Sequence, residues 1–114
     1  MVKDQGQTRS ELLPGTLEML VLKTLMRGPM HGYGIAQYVG QTSDEVLQIE
    51  EGSLYPALQR LLLKGWVTAE WRQTPNNRRA RYYQLTPLGR KQLVVEAANY
   101  NRIIEAIARV MQSA

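Results

Sequence analysis

The sequence predicts a mainly α-helical fold that carries one small β-hairpin and ends in a long C-terminal helix. Three observations support this prediction. Apolar residues recur at helical spacing in separate segments, strand-like runs flank a turn at residues 74–77, and a long amphipathic segment follows Thr86-Pro87. The 114 residues suit one domain with a modest core, so a partner subunit would add useful buried area.

Two short helices are predicted in the first third of the chain. Between residues 14 and 27 apolar side chains recur at helical spacing, Pro14 suits a first turn, and Gly28-Pro29 ends the segment. Residues 31–41 predict a second helix, whose early glycines allow a close approach of the backbone. His31 is the only histidine and lacks a second ligand or a catalytic partner, so a capping or packing role is favoured over chemistry.

Two other segments are less regular. Residues 1–13 lack periodicity and are expected to form a flexible tail, with a polar arm that contacts phosphates as the alternative. After an acidic turn, Val46, Leu47 and Ile49 are expected to form a brief strand.

A third helix is predicted to begin at a Ser53 cap and to end at Gly65. This cap places Pro56 at the third helical position, where its missing N–H has no intrahelical acceptor. The expected buried stripe consists of Leu54, Leu58, Leu61 and Leu62.

Two strands should follow, at residues 66–72 and 79–85, joined by the turn-forming sequence Thr74-Pro75-Asn76-Asn77. The aromatic side chains of this hairpin suggest either base stacking or packing within the fold. We assign them to core and cross-strand packing, because their placement on the predicted strands makes this the simpler explanation. They are Trp66, Trp71, Tyr82 and Tyr83.

Residues 88–111 predict one long helix, capped by Thr86 with Pro87 in the first helical position. Its apolar residues alternate in spacings of four and three, as in the seam of a heptad repeat, and a second apolar flank widens this face. The helix should therefore pack against a second subunit, although folding back on its own domain is the alternative. The predicted seam consists of Leu93, Ala97, Tyr100, Ile104, Ile107 and Met111.

Positive charge is concentrated in the second half of the chain. Residues 60–91 contain eight arginines and lysines but only one glutamate, which gives this segment a net charge of +7 and the remainder −3. Three of the arginines occupy a single four-residue stretch of the predicted hairpin, residues 78–81. A localised basic patch beside an amphipathic helix indicates contact with nucleic acid rather than a merely solvated surface.

The predicted order of elements is that of a winged helix-turn-helix, with a DNA-binding domain at residues 14–86 and a dimerisation helix at 87–114. In this fold the third helix enters the major groove and the hairpin, or wing, reaches the adjacent minor groove or its phosphates. The start of helix 2 suits a phosphate, and the equal alternative is that Gly32 only permits the bend between helices. The predicted DNA-contacting residues are Gly32, Tyr33, Ser53, Tyr55, Pro56, Gln59, Arg60, Lys64, Asn76, Asn77, Arg78, Arg79 and Arg81.

Three stretches of sequence resemble PadR-type transcriptional regulators across residues 15–93. They contain His31-Gly32-Tyr33-Gly34, Ser53-Leu54-Tyr55-Pro56-Ala57-Leu58 and Tyr83-Gln84-Leu85-Thr86-Pro87-Leu88-Gly89. The resemblance implies a dimeric repressor of the short form, with a single C-terminal dimerisation helix. It further implies release from DNA by an effector, such as a phenolic or drug-like aromatic compound, or by another cell signal.

In short family members that bind planar aromatics between the helices of the dimer, an aromatic side chain sandwiches the ligand. Tyr100 is the sole aromatic residue of the predicted C-terminal helix, so a closed seam without a ligand is the alternative.

Several other classes of protein are disfavoured by the sequence. The glycines at 32 and 34 lack the third glycine of a dinucleotide fingerprint, Gly52-Ser53 is not a nucleophile elbow, and no cluster of metal ligands is apparent, so we expect neither an enzyme nor a cofactor. With no cysteine, signal peptide or membrane-length apolar run, a cytoplasmic location is expected. The alternatives retained are a winged-helix module that binds proteins and a small-molecule-binding protein.

Overall fold

The computed structural model describes residues 14–114, so the tail predicted at residues 1–13 lies outside the described residues. Within this range the chain forms four α-helices and one three-stranded antiparallel sheet, which confirms the predicted winged helix with a long C-terminal helix. The elements are α1 (Pro14–Leu25), β1 (Met30–His31), α2 (Gly32–Thr42), α3 (Glu51–Lys64), β2 (Val67–Gln73), β3 (Arg79–Leu85) and α4 (Pro87–Gln112).

The core lies between the first three helices and the inner end of the β2–β3 hairpin. Apolar side chains from each helix are fully buried there, and Val67 and Tyr83 cover them from the sheet. Burial of these side chains is the main stabilising contribution to the domain, at about 1.5–3 kcal/mol for each large aliphatic residue. The largest buried side chains of the helices are Val21, Leu22, Ile35, Leu54, Leu58 and Leu61.

The third strand of the sheet does not lie where the sequence predicted it. Val46, Leu47 and Ile49 form no strand, because Asp44 and Glu45 both have positive φ and turn the chain sharply. The amides of Val46 and Leu47 then donate hydrogen bonds to Ser43, so they are not available to a neighbouring strand. The edge strand is instead β1, which pairs Met30 with Tyr83 and His31 with Tyr82.

The start of α3 also differs from the prediction. Glu50 occupies the N-cap position, and its carbonyl accepts hydrogen bonds from the amides of Ser53 (3.0 Å) and Leu54 (2.9 Å). Ser53 therefore lies within the first turn, and Pro56 lies inside the helix, where it removes the N–H that would bond the carbonyl of the exposed Gly52. Ala57, rather than the half-buried Leu62, completes the buried stripe.

The wing is joined to α4 by Thr86 alone, which acts as the predicted N-cap. Its hydroxyl accepts a hydrogen bond from the Gly89 amide (3.0 Å) and donates one to the carbonyl of Gly65 (2.8 Å), where the left-handed φ of 77° ends α3. The Thr86 amide bonds the carbonyl of Trp66 (3.1 Å). These contacts join the ends of α3 and β3 to the first turn of α4.

Candidate nucleic-acid interface

Three elements meet on one side of the domain: the start of α2, the exposed side of α3, and the wing. The wing is the β2–β3 hairpin with its connecting residues 74–78. His31 fixes the start of α2 as an N-cap, since its Nδ1 accepts a hydrogen bond from the Gly34 amide at 3.0 Å. Its ring packs edge-on against Tyr82 of the wing, which ties the two elements together. The predicted capping role of His31 is thus confirmed.

The start of α2 and α3 touch through Gly32 and Tyr55. A Cβ on Gly32 would lie 2.7 Å from the Tyr55 hydroxyl and 2.9 Å from its ring, so only glycine allows the ring to lie across this turn. Gly32 is therefore buried beneath Tyr55, whereas Tyr33 is 66% exposed beside it. At this junction, the side chains of Tyr33 and of the 46% exposed Tyr55 are therefore the ones that a ligand could contact.

The outer side of α3 is open to solvent along its length. Ser53, Pro56 and Gln59 are all exposed and lie away from the buried stripe of this helix. The amide group of Gln59 can donate and accept at the edge of a base, and adenine offers the matching pair of groups in the major groove.

Arg60 and Lys64, by contrast, extend along the flank of α3 that faces α1. The Arg60 Nε lies 2.7 Å from Oε2 of Glu18, and the Lys64 Nζ lies 2.9 Å from Oε1 of the same carboxylate. Burial alone would raise the pKa of Glu18, but the hydrogen bonds and charges of Arg60 and Lys64 lower it below its ordinary value. Part of the positive charge predicted for DNA is therefore neutralised within the domain.

Sequence reasoning overlooked Glu18, although a signal was available. It shares one face of α1 with the buried Leu22 and Leu25, at spacings of four and seven residues. An acidic residue on an apolar helix face indicates a partner of opposite charge.

The tip of the wing is a tight turn held by its own hydrogen bonds. Thr74 bonds the Arg78 carbonyl through its amide (2.6 Å) and the Arg78 amide through its hydroxyl (3.1 Å), and Asn77 adopts a positive φ of 65°. All the predicted wing residues are exposed on this turn or on the strand that follows it: Asn76, Asn77, Arg78, Arg79 and Arg81.

The aromatic residues of the wing, together with Trp66 just before it, separate into two groups. Tyr83 is buried, which raises the pKa of its hydroxyl, and Tyr82 and Trp66 are half-buried as expected of packing residues. Trp71 corrects the prediction of core packing, because it is 60% exposed and lies beyond the end of the core. Its remaining contacts are cross-strand, with Arg81 as its register partner and the Arg79 guanidinium 5.5 Å from its ring centroid.

A second surface of interest lies on α4. Leu93 is buried in the core of its own domain, which corrects its assignment to an intersubunit seam. Beyond Leu93 none of the described residues of α4 is buried, and large apolar side chains are exposed to solvent along one broad face. They include Tyr100, Ile103, Ile104, Ile107, Val110 and Met111.

The described residues offer little for other kinds of site. Residues 14–114 contain no group of three or more histidine, aspartate or glutamate side chains placed to hold a metal ion. Over the same range no helix is long and apolar enough to span a membrane.

Comparison with known proteins agrees with this geometry. Residues 21–95 match the transcriptional regulator PadR-like family. A transcriptional regulator from Clostridium thermocellum shares the fold with a TM-score of 0.79 and 26% identity, over 88% of this chain and 97% of that one. A PadR family transcriptional regulator from Eggerthella lenta has a TM-score of 0.73 and 29% identity, over 88% and 85% of the two chains.

Relatives by sequence include an uncharacterized protein X of Lysinibacillus sphaericus, 30% identical over 85% of this chain and 92% of that protein. The family match covers most of the chain, and both solved relatives share the fold over 88% of it. The chain therefore belongs to the PadR-like family, whose members are DNA-binding transcriptional regulators and not enzymes.

Proposed function

We propose that the protein is a homodimeric repressor that binds a pseudo-palindromic operator, with one α3 in the major groove of each half-site. The observation that carries this proposal is the broad apolar face of α4 after Leu93, which its own domain leaves exposed. A soluble domain rarely exposes a contiguous apolar face of this kind unless a partner covers it. Two-fold pairing through α4 would bring two wings and two α3 helices to one side of the dimer.

Two copies of the interface would then read two half-sites. Their centres should be separated by about one helical turn of DNA, ~34 Å, because each α3 must face the same side of the duplex. Binding of both half-sites at once raises the affinity far above that of one domain. An operator that overlaps a promoter would exclude the polymerase, which is the simplest route to repression.

The dimer is tested by changing Ile104 and Ile107 to aspartate. Sedimentation should show a dimer for the wild-type chain at micromolar concentration and a monomer for the double variant. Val95→Asp is the matched control, since Val95 is also exposed but lies nine residues from Ile104, about two and a half turns away and thus on the opposite side of the helix. A monomeric wild-type chain would refute the dimer.

Operator binding is tested by a gel shift with the region upstream of the protein's own gene, followed by footprinting. We expect a protected site made of two related half-sites, and loss of this complex for the Ile104→Asp, Ile107→Asp variant at concentrations that saturate the wild type. Binding that is equally weak on all duplexes would instead favour a domain that binds proteins. The position of the footprint relative to the promoter distinguishes repression from activation.

We further propose that a planar aromatic effector binds between the two α4 helices and favours release from DNA. Tyr100 supports this proposal, as it is 39% exposed on the same face as Ile104 and Ile107. Calorimetry with a panel of planar aromatic compounds should detect binding to the wild type and weaker binding to Tyr100→Ala. Equal binding to both proteins would place the effector elsewhere.

A further inference from the structure

We propose that the cleft between the start of α2 and the wing holds the sugar-phosphate backbone of one strand of duplex DNA, and that Trp71 packs against a deoxyribose of that strand. This inference deepens the proposed function and rests on it. It assigns a role in DNA binding to Trp71, a residue that sequence reasoning placed in the framework of the wing.

The register of the wing explains why Trp71 is exposed. Successive side chains of a strand point to opposite faces, so Val67, Ala69 and Trp71 share one face of β2. Val67 is buried against the core and Ala69 is half-buried, but the strand extends past the body of the domain before it reaches Trp71. On this face Trp71 pairs with Arg81 across the strands. The next pair toward the tip of the wing is Gln73 with Arg79. The inner face of the wing thus changes from apolar to basic at Trp71.

The opposite wall of the cleft comes from α2 and α3. His31 and Tyr33 line it from the start of α2, and Tyr55 forms its floor because Gly32 leaves room for the ring. The cleft has a volume of about 770 Å³ and is open to solvent on one side. Among residues 14–114, those that line it include three arginines and no acidic residue.

The chemistry of this lining matches a nucleic-acid backbone better than an apolar peptide. Arginine guanidinium groups and tyrosine hydroxyls bind phosphate oxygens, and aromatic rings provide a flat apolar surface for a sugar. The Arg79 guanidinium lies over the Trp71 ring with its carbon 5.5 Å from the ring centroid. A cation and an apolar ring are therefore adjacent. The phosphate and the sugar of one nucleotide are adjacent in the same way, so the cation could meet the phosphate while the ring meets the sugar. The complementary charge selects DNA as the occupant.

Fluorescence tests the contact directly, because the chain has two tryptophans in different environments. In the Trp66→Phe variant, Trp71 is the single emitter, and we expect its fluorescence to be quenched when a duplex of the gene's own upstream region is added. In the matched Trp71→Phe variant, Trp66 is the single emitter and should respond little, since it is half-buried beneath Lys64. Protection of wild-type fluorescence from acrylamide by the same duplex gives a second readout if Trp66→Phe does not fold.

Affinity supplies the second arm of the test. Trp71→Ala should weaken duplex binding about ten-fold without altering its dependence on salt, as expected of an uncharged aromatic contact. Arg79→Ala should instead reduce the salt slope by about 0.9, the value for one phosphate. Trp71→Phe should recover most of the affinity.

Unchanged Trp71 fluorescence together with wild-type affinity of Trp71→Ala would overturn the inference, while specific binding by the wild type would leave the proposed function intact. Tighter binding to the single strands than to the duplex, with the same quenching, would also overturn it. If the wild type bound no duplex at all, both proposals would fail together.

Discussion

The carboxylate of Glu18 in α1 holds the guanidinium of Arg60 in α3 at a distance of 2.7 Å. Lys64 binds the second oxygen of the same carboxylate, so one acidic residue connects two cations of the helix proposed to face DNA. The side chain of Glu18 is 11% exposed and those of both cations are 44% exposed. The group is therefore a partly buried ion network whose contribution can be measured separately from DNA binding.

Replacing Glu18 by glutamine should lower the free energy of unfolding by about 1–2 kcal/mol, less than for a fully buried pair because the cations remain half-exposed. The pH dependence gives the clearer signature. The folded pKa of Glu18 is below the unfolded value, so its stabilisation is complete above the unfolded value and is lost as the pH falls through the folded pKa. Chemical denaturation between pH 3 and pH 7 should show this loss in the wild type but not in Glu18→Gln. An identical pH profile would contradict the assigned role.

The two groups of cations should differ in their effect on DNA binding. Changing Arg78, Arg79 and Arg81 together to alanine should flatten the salt slope of duplex binding by up to ~3 phosphates' worth, because these side chains lie exposed on the wing. Changing Arg60 and Lys64 together should alter the slope less, since Glu18 already neutralises part of their charge. Fluorescence anisotropy at several salt concentrations measures both. A wing variant with an unchanged slope would remove the wing from the interface.

Gly32→Ala should displace Tyr55 and weaken duplex binding several-fold. The added Cβ would meet the far end of the Tyr55 side chain, which can rotate into solvent, so we expect the free energy of unfolding to change by only about 1 kcal/mol. Gly34→Ala is the control within the same helix, as its Cβ would approach nothing closer than 3.4 Å. Equal affinities for the two variants would argue against a role for the position of Tyr55.

Gly89→Ala should destabilise the fold strongly. Its Cβ would lie 2.0 Å from the backbone oxygen of Trp66, which cannot move without disturbing the junction of α3 and β2. The expected loss is about 3 kcal/mol in the free energy of unfolding. Gly15→Ala serves as the control, because a Cβ there meets nothing within 4 Å. A thermal unfolding midpoint for Gly89→Ala close to that of the wild type would show that the junction can adapt.

Local signals in the sequence predicted most of the fold. Gly65 ends α3 and Thr86-Pro87 begins α4 where expected, because these residues act through their own backbone geometry and hydrogen bonds. The strand β1 could not be predicted in the same way. It has two residues, too few for a periodic pattern, and it forms only because β3 offers a free edge to Met30 and His31.

The site residues show the same distinction. The sequence predicted core and cross-strand packing for Trp71, which is 60% exposed, because a strand pattern carries no information on where the core ends. Likewise the positive charges of Arg60 and Lys64 were evident in the sequence, whereas their pairing with Glu18 joins residues more than 40 positions apart. Tertiary packing decides such contacts, and no local pattern records them.

The one-residue connection at Thr86 has a mechanical consequence. With the Gly89 backbone packed directly against Trp66, no flexible joint separates the wing from α4. The 26 residues of α4 extend about 39 Å, so when the wing and the helix turn together by one degree, the far end of the helix moves by roughly 0.7 Å. In the proposed dimer, a small change in the angle between the two α4 helices would therefore turn each α3 helix by the same angle as its own α4.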